Sequence, residues 1–264
     1  MRTTVVTGSA SGIGAATRAR LEARGERVIG VDLRNAEVRA DLASEEGRRE
    51  ASTRIGALAG ESLDGLVTCA GLAGLPNRPG RVLTELNYFG TIELLEALRP
   101  LLAQGERPAA VAISSNSTTT SPLVPRDLVE LLLAGDRAGA AALADRLGSL
   151  ACYAPTKLAV AHWVRRHAPT PAWIGAGITL NAVAPGKTET AMIAEGRADP
   201  VIGRHIDRFP VPAGRSGQPD EIAALIAFLL GPDARFFCGS VVFCDGGTDA
   251  AARADDWPAP LRKS

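Results

Sequence analysis

Short apolar runs rich in β-branched residues alternate along this chain with longer amphipathic stretches, beginning with the run TTVVT at residues 3–7. This alternation is typical of βαβ units, in which each helix carries the chain back to begin another parallel strand. The pattern therefore predicts an α/β fold of the Rossmann type, with a seven-stranded parallel sheet and helices on both faces.

Seven runs are assigned to strands and five amphipathic stretches to core helices. The predicted strands are residues 3–7, 27–32, 37–40, 65–69, 109–114, 178–183 and 240–244. The predicted helices are residues 12–24, 44–59, 83–103, 152–167 and 220–230. No linker-like stretch separates two halves, so residues 1–264 are predicted to form a single domain.

Two segments interrupt the alternation. Residues 117–150 lie between a strand and the next core helix and far exceed the usual βα loop of about 2–6 residues. Their second part, residues 126–147, is rich in Leu, Ala, Asp and Arg, which predicts a helical insertion of one or two helices. Residues 187–217 contain three prolines and are predicted to form a loop that could act as a flap over the substrate.

Composition and charge narrow the classes of partner. About 46% of the residues are apolar, and 29 basic residues balance 29 acidic ones, so nothing favours nucleic acid or an anionic membrane as a partner. The four cysteines are scattered without CxxC spacing, and the three histidines share no ligand spacing. We therefore expect reduced, mostly buried thiols and no metal site. No signal-like start or membrane-length apolar run is present, so a cytoplasmic location is expected.

A glycine-rich turn, Thr7-Gly-Ser-Ala-Ser-Gly-Ile-Gly14, joins the first predicted strand to the first predicted helix. Gly8, Gly12 and Gly14 permit a tight turn and a close backbone approach, and the helix start offers free N–H groups to a pyrophosphate. The spacing is GxxxGxG instead of the general GxGxxG, and by itself such a turn is equally consistent with a structural role. Its place between a strand and a helix favours dinucleotide binding.

Asp32 ends the second predicted strand, eighteen residues after Gly14. A carboxylate at this place can accept hydrogen bonds from the adenosine ribose hydroxyls, and it would repel a 2′-phosphate by about 1–4 kcal/mol. We therefore expect NAD(H) and not NADP(H) as the cofactor, with nearby Arg34 on the surface.

Tyr153 and Lys157 lie four positions apart in a predicted helix, so their side chains share a face. A neighbouring ammonium would stabilise the phenolate and lower the pKa of Tyr153 from its ordinary value of about 10, which would make the phenol a usable acid and base. YxxxK also occurs often by chance as a surface pair. Here Ser114 and Ser115 end a strand at the carboxyl edge of the sheet, where α/β sheets bind ligands.

Taken in order, TGSASGIG, Asp32, LNYFG at 86–90, ISS at 113–115, YAPTK at 153–157 and NAVAPG at 181–186 resemble the motifs of the short-chain dehydrogenase/reductase family. The resemblance extends from the first strand to DGG at 245–247. It implies an NAD(H)-dependent enzyme that interconverts a secondary alcohol and a ketone.

The resemblance also implies the site residues. Asn87, Ser115, Tyr153 and Lys157 match the family's catalytic set. The residues expected around the cofactor are Gly8, Ser11, Gly12, Ile13, Gly14, Asp32, Asp41, Leu42, Cys69, Ala70, Gly71, Tyr153, Lys157, Pro185, Gly186, Thr188 and Thr190. Asp41 matches the aspartate on the adenine side. Thr190 matches the threonine that holds the nicotinamide carboxamide, and the neighbouring Thr188 is an alternative for the same role.

The expected roles follow from the same resemblance. Ser115 donates a hydrogen bond to the substrate oxygen, and Tyr153 transfers the proton. Lys157 lowers the pKa of Tyr153 and holds the nicotinamide ribose, and Asn87 positions a water that links Lys157 to solvent.

Two departures narrow the match. Thr68-Cys69-Ala70-Gly71 stands where Asn-Asn-Ala-Gly is usual, so the bracing role of the first asparagine is unfilled. Ser115 and Tyr153 are 38 positions apart, far more than in common members, because of the insertion. These features resemble the bacterial 3α-hydroxysteroid dehydrogenase/carbonyl reductases. A steroid is therefore the first expected substrate, and a non-steroid alcohol or carbonyl compound is the alternative.

Two other classes of protein are weighed against this interpretation. A non-enzymatic NAD-binding sensor would be expected to have lost Tyr153 or Lys157, and both are present. A hydrolase built on an α/β sheet would need a GxSxG elbow, and the sequence has none.

Many members of the family form tetramers through two interfaces. One pairs the long helix, here 83–103, and the tyrosine helix; the other pairs the last helix and strand. The insertion is expected to cover the first interface. Residues 220–230 and 240–244 are more apolar than an exposed edge needs, so a homodimer is predicted through this surface, with the insertion free to line or roof the pocket.

Overall fold

In the computed structural model, which describes residues 1–200 and 202–259, seven strands form one sheet. They are β1 (Thr3–Thr7), β2 (Arg27–Asp32), β3 (Val38–Arg39), β4 (Gly65–Thr68), β5 (Ala109–Ile113), β6 (Thr179–Pro185) and β7 (Val241–Cys244). Their order is β3-β2-β1-β4-β5-β6-β7, and every neighbouring pair is parallel. The predicted fold class is confirmed, and no strand end differs from its prediction by more than two residues.

The described residues also form twelve α-helices. They are α1 (Gly12–Glu22), α2 (Glu45–Ala59), α3 (Gly80–Leu83), α4 (Gly90–Leu102), α5 (Ser117–Thr120), α6 (Arg126–Leu133), α7 (Arg137–Leu147), α8 (Ser149–His167), α9 (Ala191–Ala198), α10 (Ile202–Arg208), α11 (Pro219–Leu229) and α12 (Thr248–Ala252). Within this part of the chain, none of the helices has the length and apolar character that a membrane crossing requires.

Helices cover both faces of the sheet. Successive side chains of each strand point to opposite sides, so each strand contributes to the packing on both faces. Val6 and Val67 pack with apolar residues of α1 and α11. Val5 and Leu66, their neighbours in β1 and β4, pack on the other side with α2, α4 and α8. The central residues of the strands are therefore buried on both sides, as expected for a parallel sheet covered on two faces.

The predicted helix over residues 83–103 is not continuous. Thr84–Phe89 forms a π-helical segment, with i→i+5 hydrogen bonds, between α3 and α4. Hydrophobic spacing did not reveal this segment, because Leu83, Tyr88 and Phe89 are buried and the apolar face continues through it. Segments of this kind are rare and frequently lie at functional sites.

The predicted helical insertion is confirmed as two helices, α6 and α7, preceded by the short α5. Leu128, Val129 and Leu132 form the buried stripe of α6, which packs on α8. Ala140 and Ala144 are the buried residues of α7, which packs on α3 and α8. The assignment of the whole chain to a single domain stays a prediction.

Residues 187–217 do not form the predicted loop, since they contain α9 and α10. Thr190 caps α9 by accepting a hydrogen bond from the N–H of Ile193 at 3.4 Å. Gly196 lets α10 approach, because a Cβ there would lie 2.6 Å from Cδ1 of Ile206. The prolines that suggested a loop lie outside both helices and therefore do not interrupt them.

The close contact of α3 with the insertion can be tested at Gly80. A Cβ at this position would lie 2.0 Å from the carbonyl oxygen of Ala144, so one of the two helices would have to shift. We expect Gly80→Ala to lower the free energy of unfolding by about 1–3 kcal/mol, as overpacking does. The measurement is urea unfolding followed by circular dichroism.

Gly56→Ala in α2 is the matched control. The nearest atom to a Cβ at Gly56 is Cδ1 of Leu101, 4.0 Å away, so no shift is needed. Alanine is the better helix former, and this variant should gain about 0.5–1 kcal/mol. Stabilisation by both substitutions would contradict the packing described for α3.

Candidate active site

A cleft of about 740 Å³ opens at the carboxyl edge of the sheet, where β1, β2, β4 and β5 end. Every residue that the sequence predicted around the cofactor lines this cleft, and so does Ser115. Asn87 does not: it is fully buried behind the wall. The topology therefore brings together side chains that lie far apart in the sequence.

The glycine-rich turn forms one wall, and no larger residue fits in it. A Cβ at Gly14 would lie 2.1 Å from the carbonyl oxygen of Gly8, and one at Gly8 would lie 2.9 Å from the amide nitrogen of Ala70. Gly8 and Gly12 also have positive φ angles of 64° and 53°. Ser11, the N-cap residue of α1, makes no side-chain capping bond, so the N–H groups of the first turn are left for a ligand.

Acidic side chains lie at the β2 end of the cleft. The two carboxylate oxygens of Asp32 accept hydrogen bonds from the N–H groups of Ala10, at 3.0 Å, and Leu33, at 2.7 Å. The exposed carboxylate of Asp41 accepts one from the N–H of Ala43 at 2.9 Å. Arg34 is exposed and is not among the residues that line the cleft, as the sequence predicted.

Ser115, Tyr153 and Lys157 meet where β5 ends against α8. Ser115 and Tyr153 both line the cleft here, and Ser115 Oγ accepts a hydrogen bond from the N–H of Ser117 at 3.1 Å. Hydrogen bonding by the Ser115 side chain also acts to lower the pKa of the Tyr153 phenol. Lys157 is 3% exposed, and its ammonium donates to the carbonyl oxygen of Ile113 at 2.9 Å. In return the hydroxyl of Ser114 donates to the carbonyl oxygen of Lys157 at 3.0 Å.

The pKa of Tyr153 differs from the expectation. Burial raises the pKa of this phenol above its ordinary value, and the hydrogen bond with Ser115 only partly opposes that effect. Burial also lowers the pKa of Lys157 to about 8. The ammonium donates to Ile113, so the structure does not show it lowering the pKa of the phenol. The sequence could not reveal this, because the pattern contains no information on how deeply the pair is buried.

Asn87 braces the backbone beside this pair. Its Oδ1 accepts a hydrogen bond from the N–H of Leu72 at 2.8 Å, and its Nδ2 donates to the carbonyl oxygen of the same residue at 2.9 Å. A Cβ at Gly71 would lie 3.1 Å from Asn87 Oδ1 and 3.5 Å from Lys157 Nζ. The side-chain amide is thus engaged by Leu72 and holds the chain next to Lys157.

The turn after β4 departs from the family pattern, as noted above. Thr68 is buried, and its hydroxyl makes no hydrogen bond within the described part of the chain, so Thr68 does not take over the bracing role. The N–H of Ala70 in this turn donates to the hydroxyl of Thr7 at 3.0 Å. Burial raises the pKa of the neighbouring Cys69 thiol to about 12, which makes this cysteine a neutral wall residue at physiological pH.

The segment after β6 forms the wall of the cleft opposite the glycine-rich turn. The N–H of Gly186 donates to the carbonyl oxygen of Cys244 at 3.0 Å, and the hydroxyl of Thr188 donates to the carbonyl oxygen of Gly186 at 2.9 Å. A Cβ at Gly12 would lie 3.3 Å from the methyl carbon of Thr190. The glycine turn and the start of α9 therefore face each other directly.

Apolar residues beyond the predicted set also line the cleft, among them Leu72, Val82, Met192 and Ile193, together with Leu86 of the LNYFG motif. Glu195 lines it too, and its carboxylate lies 3.0 Å from the guanidinium of Arg78, which joins α9 to the loop at 72–79. The sequence signal for the α9 residues was the capping threonine at 190, which was interpreted only as a cofactor contact.

The insertion was expected to line or roof the pocket, and the structure corrects this. None of the described residues that line the cleft belongs to 117–150. The insertion instead supports the wall from behind. The hydroxyl of Ser149, the first residue of α8, exchanges hydrogen bonds with the backbone of Leu75, and Asp145 pairs with Arg81.

The residues present fit a dinucleotide. Uncapped helix N–H groups stand where a pyrophosphate would lie, and glycines leave no room for side chains there. A carboxylate stands at the end of β2, and threonines stand at the opposite end. This is the donor and acceptor arrangement expected of an NAD(H) site in a Rossmann fold.

Comparison with known proteins gives consistent matches over nearly the whole chain. A family model described as short chain dehydrogenase matches residues 2–124, and one described as enoyl-(acyl carrier protein) reductase matches residues 140–249. The chain is 42% identical over 252 residues to a 3-alpha-hydroxysteroid dehydrogenase/carbonyl reductase of Comamonas testosteroni, with 94% of this chain and 97% of that protein covered. It is 34% identical over 274 residues to a cis-4-hydroxycyclohexanecarboxylate dehydrogenase of Sinomonas cyclohexanicum, with 94% and 97% covered.

A solved structure is similarly close. The 3-alpha-hydroxysteroid dehydrogenase from Pseudomonas sp. B-0831, complexed with NADH, superimposes with a TM-score of 0.91 at 42% identity. The superposition covers 97% of this chain and 100% of that chain.

The buried charge of Lys157 predicts how stability depends on pH. With a pKa near 8 in the folded chain and 10.5 ordinarily, the folded chain binds fewer protons than the unfolded chain between these values, so stability rises with pH across that window. Below it, the ammonium opposes folding. Lys157→Met should therefore raise the free energy of unfolding at neutral pH by roughly 1–3 kcal/mol.

The gain from Lys157→Met should shrink as the pH rises through the same window. Urea unfolding at neutral pH and near pH 10 provides the comparison. Lys187→Met, which removes a less deeply buried lysine, is the control for loss of a lysine. A methionine variant that is less stable than the parent at neutral pH would contradict the argument.

Proposed function

This chain belongs to the short-chain dehydrogenase/reductase family. On that premise we propose that it is an NAD(H)-dependent oxidoreductase that interconverts a secondary alcohol and a ketone. The substrates that we expect first are 3α-hydroxysteroids. The observation that carries the proposal is that Ser115, Tyr153 and Lys157 line the same cleft as the glycine turn.

In the direction of alcohol oxidation, the side chains of Ser115 and Tyr153 hold the substrate oxygen between them, and Tyr153 takes the proton of the alcohol as base. When bound, NAD⁺ supplies the hydride acceptor. Lys157 provides positive charge on the cofactor side, where it would bind the ribose. Its ammonium donates to the carbonyl oxygen of Ile113, so a lowering of the pKa of Tyr153 by Lys157 stays a prediction. Asn87 serves by holding Leu72, and through it the backbone beside Lys157.

Asp32 supports NAD(H) over NADP(H). Its carboxylate lies at the end of β2 within the cleft, and Arg34 is not positioned in the cleft to neutralise a 2′-phosphate. The charge repulsion estimated above favours NAD⁺. The related Pseudomonas enzyme, whose structure contains NADH, is consistent with this choice.

The apolar wall supports a large hydrophobic alcohol. Leu72, Val82, Leu86, Met192 and Ile193 offer surface that a fused-ring substrate would remove from water. The two relatives named above act, by their names, on a hydroxysteroid and on a hydroxylated cyclohexane, both of them cyclic alcohols. A non-steroid alcohol remains the alternative substrate, and a cytoplasmic location stays a prediction.

A substrate panel tests the function. The purified chain is incubated with NAD⁺ or NADP⁺ and with 3α-hydroxysteroids, 3β-hydroxysteroids or aliphatic alcohols. Quinones are tested in the opposite direction with NADH or NADPH, and the absorbance of the reduced cofactor is followed in both cases. We expect 3α-hydroxysteroids to be oxidised, with kcat/KM at least about tenfold higher for NAD⁺, which corresponds to about 1.4 kcal/mol.

Tyr153→Phe should lose about 10²–10⁴-fold in kcat and still bind NADH, because it removes the transferable proton and little else. Tyr88→Phe is the control, since Tyr88 lies outside the cleft. Near-normal kcat in Tyr153→Phe would refute the mechanism, and NADH binding without turnover of any substrate would favour a sensor.

We also propose a two-fold homodimer through α11 and β7. β7 is an edge strand, and Phe228 and Phe237 form an exposed edge-to-face pair 5.6 Å apart beside the fully exposed Phe236. Exposed aromatic patches of this kind favour association. Helix α6 of the insertion packs on α8, and α7 packs on α8 and the π-helical segment. The insertion therefore covers the surface through which the long helix and the tyrosine helix pair in tetrameric members of the family.

Phe236→Asp should convert the dimer to a monomer in light scattering, because a carboxylate would be buried without a partner at the interface. Leu123→Asp is the control, since Leu123 is 85% exposed on the insertion. A tetramer, or a dimer unaffected by Phe236→Asp, would overturn this assignment.

A further inference from the structure

Four charged side chains connect the insertion to the cleft wall from behind. Glu85 of the π-helical segment and Glu93 of α4 each pair with two guanidinium groups, those of Arg48 in α2 and Arg137 at the start of α7. We call these four residues the charge cluster. Arg137 is its one member from the insertion.

Arg48 holds the inner side of the cluster. It is 3% exposed and contacts Glu93 at 2.6 Å and Glu85 at 3.2 Å. The same guanidinium donates to the carbonyl oxygen of Leu42 at 3.0 Å, and Leu42 lines the cleft. A buried guanidinium needs such partners, so Arg48 keeps both carboxylates close to the wall of the site.

Arg137 binds carboxylates near both ends of the π-helical segment. One N–H group donates to Glu85, near the start of the segment, and another donates to Glu93, four residues after its end. The guanidinium also lies 4.1 Å above the ring of Phe89, the last residue of the segment. A planar, bidentate cation that stacks on a ring fixes orientation as well as distance.

Asn87 lies between these two contacts, two residues from Glu85 and two from Phe89. Its amide makes two hydrogen bonds to Leu72, at 2.8 and 2.9 Å, and Nδ2 also donates to the hydroxyl of Thr156 at 3.5 Å. A change in the register of the π-helical segment would withdraw this amide and release the backbone next to Lys157.

We propose that Arg137 is a positioning residue for the reaction. It holds the π-helical segment in the register that keeps Asn87 on Leu72, beside Lys157. The insertion thus acts on the chemistry without lining the cleft. The kinetic part of this inference rests on the proposed oxidoreductase function, and its structural part does not.

Arg137→Met tests the proposal, because methionine retains an apolar stem over Phe89 and removes the charge. We expect kcat for the alcohol to fall about tenfold, with KM for NAD⁺ within about twofold of the parent. Arg137→Lys should recover part of the lost kcat, because it restores the positive charge. The recovery should be incomplete, because an ammonium cannot bind both carboxylates with the planar geometry of a guanidinium. Arg146→Met is the control, because Arg146 is exposed at the other end of α7.

A double-mutant cycle separates positioning from simple anchoring. If Arg137 acts through Asn87, Arg137→Met should lower kcat no further in an Asn87→Ala background. Full additivity of the two losses would overturn the proposal.

Hydrogen exchange provides a readout that needs no turnover. In Arg137→Met the amide of Leu72 should exchange about tenfold faster, whereas that of Val67 in β4 should be unchanged. An unchanged Leu72 rate would overturn the inference even if the enzyme is active. If the parent chain oxidises no alcohol, the proposed function fails, and this measurement still decides the role of Arg137.

Discussion

The ammonium of Lys157 must be held at the edge of an apolar interior, and two reciprocal hydrogen bonds accomplish this. Lys157 donates to Ile113 at the end of β5, and Ser114, the next residue, donates back to the carbonyl of Lys157. Together they fasten the end of a strand to the middle of a helix. Ser115 follows directly and Tyr153 lies one turn earlier, so the same fastening brings their hydroxyls together. A charge that is costly to bury is thus also the element that organises the site.

Much of this arrangement could be predicted because it is encoded locally. The strands follow from apolar runs, and the glycine turn follows from spacing that only glycine can satisfy. Tyr153 and Lys157 follow from helical periodicity. Parallel strands then place all their carboxyl ends at one edge, so residues assigned one by one from motifs converge on a single cleft without further information.

The features that could not be predicted depend on tertiary contacts. The π-helical segment interrupts no apolar pattern, and it is tied to Leu72 and to the insertion by polar bonds between residues far apart in the sequence. The direction of the Tyr153 pKa depends on burial, which a spacing does not report. The place of the insertion depends on Arg137 meeting two carboxylates more than forty positions earlier. The short helix α10, which lies between Pro200 and Pro210, was hidden by the same lack of long-range information.

The distance along the chain between Ser115 and Tyr153 has an evolutionary consequence. The two hydroxyls are neighbours in space although 38 positions separate them. Loop-closure entropy grows only logarithmically, so each doubling of such a connection adds only about 0.6 kcal/mol. A lineage can therefore lengthen this connection at small thermodynamic loss and let new helices accumulate outside the reaction centre. The proton-transferring pair stays intact while the surroundings diversify, which makes this point of the fold a natural place for new helices to be added.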